Sequence, residues 1–128
     1  MTQEDKELLL KDLCARLPYK VKVQDIYYNS LEPAPVWLID INTQNVRMFA
    51  DEGYQSIEYI RPYLFPLSSM TEEQKTELME LMYKADTAFG VIFSENIDYF
   101  DWLNKHHFDY RGLIEKSLAL DATGLNIY

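Results

Sequence analysis

Residues 94–120, SENIDYFDWLNKHHFDYRGLIEKSLAL, constrain the chain most, because they hold its densest concentration of aromatic and branched apolar side chains. A segment this apolar has to be buried, and the rest of the chain has to supply the surface that buries it. Ser94 can cap a helix with Glu95 and Asp98 in its early turns, giving an apolar face of Ile97, Phe100, Leu103 and Trp102. That helix should end near Lys105. His106, His107, Phe108 and Asp109 read as a turn, followed from about Tyr110 by a second helix burying Leu113, Ile114, Ser117, Leu118 and Leu120. The expected product is an αα-hairpin, with residues 121–128 as a loose tail.

Upstream, Thr2 followed by Gln3, Glu4 and Asp5 marks a helix start, and a helix over residues 3–17 ends at Pro18. Its apolar stripe is read as Leu10, Leu13, Cys14 and Leu17 with Leu9 at the shoulder, which makes Cys14 a buried, inert thiol. From Tyr19 the period changes. Lys20, Val21, Lys22, Val23 and Gln24 alternate, placing the valines on one side of a strand and the lysines on the other. Residues 26–28 continue or pair with that strand, and 29–35, with two prolines, form a loop or irregular edge.

Residues 36–41 are apolar on both faces except Asp40, which predicts a central strand. A polar turn at 42–45, a return strand at 46–50, a tight turn at 51–53 and a strand over 54–60 complete a three-stranded meander. The fold class is therefore α+β: an N-terminal helix on a curled antiparallel sheet of four or five strands over 20–60, or a small open barrel, then C-terminal helices.

Residues 61–70, RPYLFPLSSM, carry two prolines and read as a connector leaving the sheet. Tyr63, Leu64, Phe65 and Leu67 are too apolar for a free linker, so they are the candidate partner-binding residues. Thr71 and Gln74 form a capping-box pattern opening a helix that buries Leu78, Leu81, Met82 and Ala85, with Met79 beside them. Residues 88–93, AFGVIF, read as a short strand.

At 128 residues with 48% apolar and 14% aromatic content, the chain is expected to fold as one domain over residues 1–128. One cysteine allows no internal disulfide and no thiolate metal cluster, which suits a cytoplasmic setting. No secretory signal and no membrane span is read in the sequence. The net charge of -9 repels phosphate backbones and anionic lipid, so nucleic acid and membrane are disfavoured partners.

His106 and His107 with Asp101 and Asp109 are the one cluster of catalytic or metal-ligand type. On a helix, adjacent histidines point about 100° apart and cannot share a metal, so they are assigned instead to capping helix carbonyls in their positive form. No metal and no cofactor is expected. A DNA-binding helix-turn-helix meets six acids against three bases, Lys105, Arg111 and Lys116, between Ser94 and Asp121. The leading expectation is a non-catalytic protein–protein interaction or accessory protein with an unidentified protein partner. The alternatives are an acidic decoy of a nucleic-acid-binding protein, a small metal-dependent enzyme using the His106/His107 turn, and a helix-turn-helix DNA binder.

Three blocks, TQEDKELLLKDLCARLPY, IRPYLFPLSSMTEEQK and WLNKHHFDYRGLIEKSLAL, resemble a family of small uncharacterised proteins from gut anaerobes of the Bacteroidetes group, often found near prophage-like genes. The resemblance covers about half the chain. It implies lineage and a mobile-element setting, and it assigns no role to any residue.

Overall fold

Helix α1 (Gln3–Arg16) begins where the sequence places it, because Thr2 and Asp5 satisfy each other's backbone amides. The Thr2 hydroxyl accepts from the Asp5 N–H at 3.1 Å, and the Asp5 carboxylate accepts from the Thr2 N–H at 3.4 Å. The computed structural model describes residues 1–28, 32–48, 53–87 and 93–128, and side chains outside 82–97.

The buried face of α1 is rotated from the expected one. Leu9, Leu10 and Leu13 are buried, but Asp12 and Arg16 join them at 0% exposure, while Cys14 is exposed. The reason is the i, i+4 ion pair between Asp12 and Arg16, which lets two charges enter the interior together.

The strands β1 (Lys22–Asp25), β2 (Ala34–Pro35), β3 (Leu38–Asp40), β4 (Asn45–Arg47), β5 (Gln55–Ser56) and β6 (Ile60–Pro66) follow. Then come α2 (Glu72–Thr87), α3 (Phe93–Lys105), β7 (Phe108–Asp109) and β8 (Leu120–Asp121). The class is α+β, and among the described residues the strands form two sheets with no closure into a barrel. One runs β2-β1-β6-β7 with β8 also on β6; the other is the meander β3-β4-β5. Val21 and Val23 are both fully buried, as their alternation requires.

Residues 36–41 are not a central strand: β3 is an edge of the smaller sheet, and Trp37 and Ile41 are 61% and 66% exposed. Apolar content alone had suggested burial on both faces. Residues 54–60 are likewise not one strand. After β5 the chain makes a 3-10 turn, Ile57–Tyr59, whose start is capped by the Ser56 hydroxyl and whose Ile57 is buried.

The proline-bearing connector is the centre of the larger sheet. β6 pairs antiparallel with β1 through Ile60, Arg61 and Pro62, and parallel with β8 and β7 through its second half. Pro62 and Pro66 each forgo one donor, but neighbouring groups keep the ladder closed. The Phe65 N–H donates to the His107 carbonyl at 2.8 Å, and the Ala122 N–H donates to the Leu64 carbonyl at 2.8 Å. The parallel pairings correct the expectation of a wholly antiparallel sheet, and they arise because α2 and α3 form a crossover between β6 and β7.

The helix capping box at Thr71 and Gln74 is present, at 2.9 and 3.1 Å. α2 packs on α3, so the helical pair sits one element upstream of the expected hairpin. No helix starts at Tyr110. The Asp109 carboxylate accepts from the Leu113 and Ile114 N–H groups, both at 2.9 Å, and positive φ at Gly112 and Ser117 (73° and 60°) turns the backbone out of helical register. Phe100, assigned to the buried face of α3, is 47% exposed, while Trp102 and Leu103 are buried. The short strand expected over 88–93 and the turn at 51–52 fall on residues outside the described ones, apart from Phe93, which is helical.

Two apolar clusters result. Leu9, Leu13, Val23, Val46, Ile60, Leu64 and Leu113 belong to the first, between α1 and the sheets. Leu78, Trp102, Leu103 and Phe108 form the second, under the helical pair.

Candidate functional site

The ends of several elements meet around one cleft of about 560 Å³. The turn after α1 holds Lys20 at a φ of 57°, and β1 opens with Lys22. α3 ends at Lys105, and the turn beyond it carries His106 and His107, the latter at a φ of 61°. All five line the cleft, together with Tyr128, and Tyr19, Phe65 and Gln74 complete much of the wall. Among the described residues, no aspartate or glutamate lines it.

The last residues are a wall of this cleft, which corrects the expectation of a loose tail. The Tyr128 hydroxyl donates to the Tyr63 carbonyl at 2.7 Å and accepts from the Lys22 N–H at 2.9 Å. Its ring stacks on the His107 imidazole, with centroids 3.7 Å apart and planes at 15°. The Lys22 ammonium donates to the Ile127 carbonyl and lies 5.9 Å over the Tyr128 ring.

His107 is 7% exposed, and its Nδ1 has no hydrogen-bond partner among the described residues. Burial, helped by the Arg16 guanidinium and by His106 and Lys22, pulls its pKa down to about 4. The imidazole is therefore neutral at pH 7, which overturns the expectation that a helix dipole holds it positive. His106 is pulled down too, chiefly by burial, with Glu77 opposing and Lys105 adding to the shift. Its ring lies 4.3 Å from that of Trp102.

A buried polar network links α1 to the segment after α3. Arg16 donates to Asp12 through Nε at 2.9 Å and Nη2 at 3.1 Å, and Nη2 also reaches the Phe108 carbonyl at 2.6 Å. Arg111 donates to Asp12 at 2.8 Å and to the Tyr110 hydroxyl at 2.8 Å, and that hydroxyl donates to Asn104 at 2.9 Å. Two guanidinium groups thus share one carboxylate, so this network adds net positive charge rather than cancelling that of the lysines.

Of the residues singled out in the sequence for partner binding, Tyr63 and Leu64 are buried at 7% and 0%, and Phe65 is half-buried against the cleft. Leu67 alone of the four is exposed, so the connector presents no contiguous apolar patch. Both histidines lie beyond the end of α3 and line the cleft, but their rings pack on different partners, His106 on Trp102 and His107 on Tyr128. The aspartates do not join them. Asp101 is exposed, and Asp109 is occupied by the Leu113 and Ile114 amides. Among the described residues, no group of three or more histidine, cysteine or acidic side chains could hold a metal ion. No recognition helix follows the turn, and Arg111 is tied to Asp12.

Of the cleft residues, Lys20, Lys22 and Tyr128 were not singled out in the sequence as candidate site residues, and Lys105 was named only as a base of the helix-turn-helix alternative. The signal for two of them was present: alternation set Lys20 and Lys22 opposite the buried valines, and that side was read as solvent. No family model, curated protein or solved structure matches this chain.

Proposed function

We propose that the chain is a non-catalytic binding protein that captures a small anion in this cleft. The observation that carries the reading is the clustering of Lys20, Lys22 and Lys105 around one concavity with no aspartate or glutamate lining it among the described residues, in a chain of net charge -9. In so acidic a chain, lysines scattered at random would meet carboxylates. Like charges held together in a concavity repel one another and focus a positive field into it, and a bound anion relieves that repulsion.

Calorimetric titration of the full chain with pyrophosphate at low ionic strength tests the reading. Saturable binding is expected, weakening as salt screens the lysines, and Lys20→Ala and Lys105→Ala should each reduce affinity by about tenfold. Binding that ignores both substitutions, or no binding, would contradict it.

A second reading, the protein–protein interaction role, is favoured by a separate observation. Trp37 and Tyr54, next to β3 and β5 of the smaller sheet, are 61% and 48% exposed, and Tyr27 and Tyr28, after β1, are 61% and 74% exposed. Tyr27 packs edge-on with Tyr28, and the Arg47 guanidinium lies over Tyr54 at 5.4 Å. Exposed aromatic side chains grouped in this way suit a partner surface. This moves the interaction reading from the connector to the smaller sheet. Loss of a captured partner in Trp37→Ala, with an unchanged melting temperature, would support it, and unchanged capture would count against it. An accessory role in a bacterial or prophage-like locus rests on the sequence resemblance alone.

A further inference from the structure

We infer that the anion held in the cleft is a phosphate monoester attached to a planar ring, an inference that rests on the anion-binding reading. The first ground is charge. Three lysines line the cleft, and the Asp12, Arg16 and Arg111 network, outside its lining, carries one positive charge more than it neutralises. A carboxylate brings one negative charge, whereas a phosphate monoester brings about -1.5 to -2 at neutral pH and three strong acceptor oxygens. Lysine ammonium groups, compact and able to turn their donors, suit such a tetrahedral group better than a flat one.

The second ground is His107. A buried nitrogen without a partner costs free energy unless something completes it, and Nδ1 of His107 is such an atom in a residue that lines the cleft. A neutral imidazole can place its proton on Nδ1 and donate to a phosphate oxygen without adding another buried cation. Among the described residues that line the cleft, Nδ1 of His107 is a buried side-chain atom without a partner, and an ester oxygen that reached it would complete it.

The third ground is space and lining. The cleft, about 560 Å³ and largely open to solvent, is larger than a bare phosphate needs and leaves room for a ring beside it. Tyr19, Phe65 and Tyr128 give it aromatic walls, with the Phe65 and Tyr128 rings 5.9 Å apart. Phosphate at the lysines and a ring against these walls use both halves of the lining. An aryl phosphate such as a phosphotyrosine side chain and a mononucleotide share this chemistry.

Calorimetry on the full chain at low ionic strength, with pyrophosphate, inorganic phosphate, benzoate, phenyl phosphate, phosphotyrosine and adenosine monophosphate as probes, tests the inference. Phenyl phosphate should bind at least about tenfold more tightly than either inorganic phosphate or benzoate. His107→Phe, which keeps an aromatic ring against Tyr128, should weaken phenyl phosphate several-fold, and Lys105→Ala, at the exposed end of α3, serves if that variant melts early. Tighter binding of phosphotyrosine or of adenosine monophosphate than of phenyl phosphate supports the inference and names the source of the ester. Benzoate binding as tightly as phenyl phosphate overturns the phosphate assignment, and inorganic phosphate doing so overturns the ring; in both cases anion capture stands. Failure of every probe, pyrophosphate included, overturns both readings.

Discussion

Asp12 is the residue on which most of the buried polar chemistry converges, since it is fully buried and accepts from both Arg16 and Arg111. Removing it strands two guanidinium groups, one of them wholly inside the protein. Asp12→Ala should cost about 3–5 kcal/mol, measured as a lowered urea midpoint. A loss below about 1 kcal/mol would mean that water reaches the pair. This residue also shows where sequence reasoning stops. Asp12 and Arg16 stand at pairing distance on a helix, but a charge is normally assigned to solvent, so Cys14 was placed inside in their stead. Only the carbonyl of Phe108 and the guanidinium of Arg111, both remote in sequence, make the buried arrangement tolerable.

At the scale of elements, local signals were legible and long-range ones were not. The helix start at Thr2, the capping box at Thr71, the alternation of Val21 and Val23, the β3–β4 hairpin and the end of α3 at Lys105 could be read, because each is decided within a few residues. β6 could not, since its prolines argue against a central strand and its partners arrive from opposite ends of the chain. The same holds for the cleft. Its lysines and histidines were visible as residue types, but their convergence depends on β6, on the crossover through α2 and α3, and on Tyr128 docking at the end. If β6 is the centre of the core, Leu64→Ala, at a fully buried position, should destabilise the fold by about 2–5 kcal/mol in equilibrium unfolding. A cost near zero would be expected only of an exposed connector.

For the whole molecule, His107 ties stability to pH. Its folded pKa, about 4, lies below the ordinary histidine value near 6.5, so between those values the unfolded chain binds more protons than the fold. The stability that the neutral imidazole contributes is therefore complete above about pH 6.5 and is lost as pH falls toward 4. His106 shifts in the same direction. Thermal melts from pH 7 to pH 4 should show the wild-type chain losing stability more steeply than His107→Phe; parallel curves would place His107 in contact with solvent. If the three lysines capture an anion, that complex should weaken as salt rises, since screening acts on exposed charges more than on buried groups.

The central claim is that this acidic chain concentrates its positive field in one cleft and binds an anion there. The most direct measurement is an amide chemical-shift titration of the full chain with phenyl phosphate at low ionic strength. Saturable shifts are predicted at Lys20, Lys22, Lys105, His106, His107 and Tyr128, with Trp37 and Tyr54 unmoved. Shifts confined to the smaller sheet, or no shifts at any concentration, would contradict it.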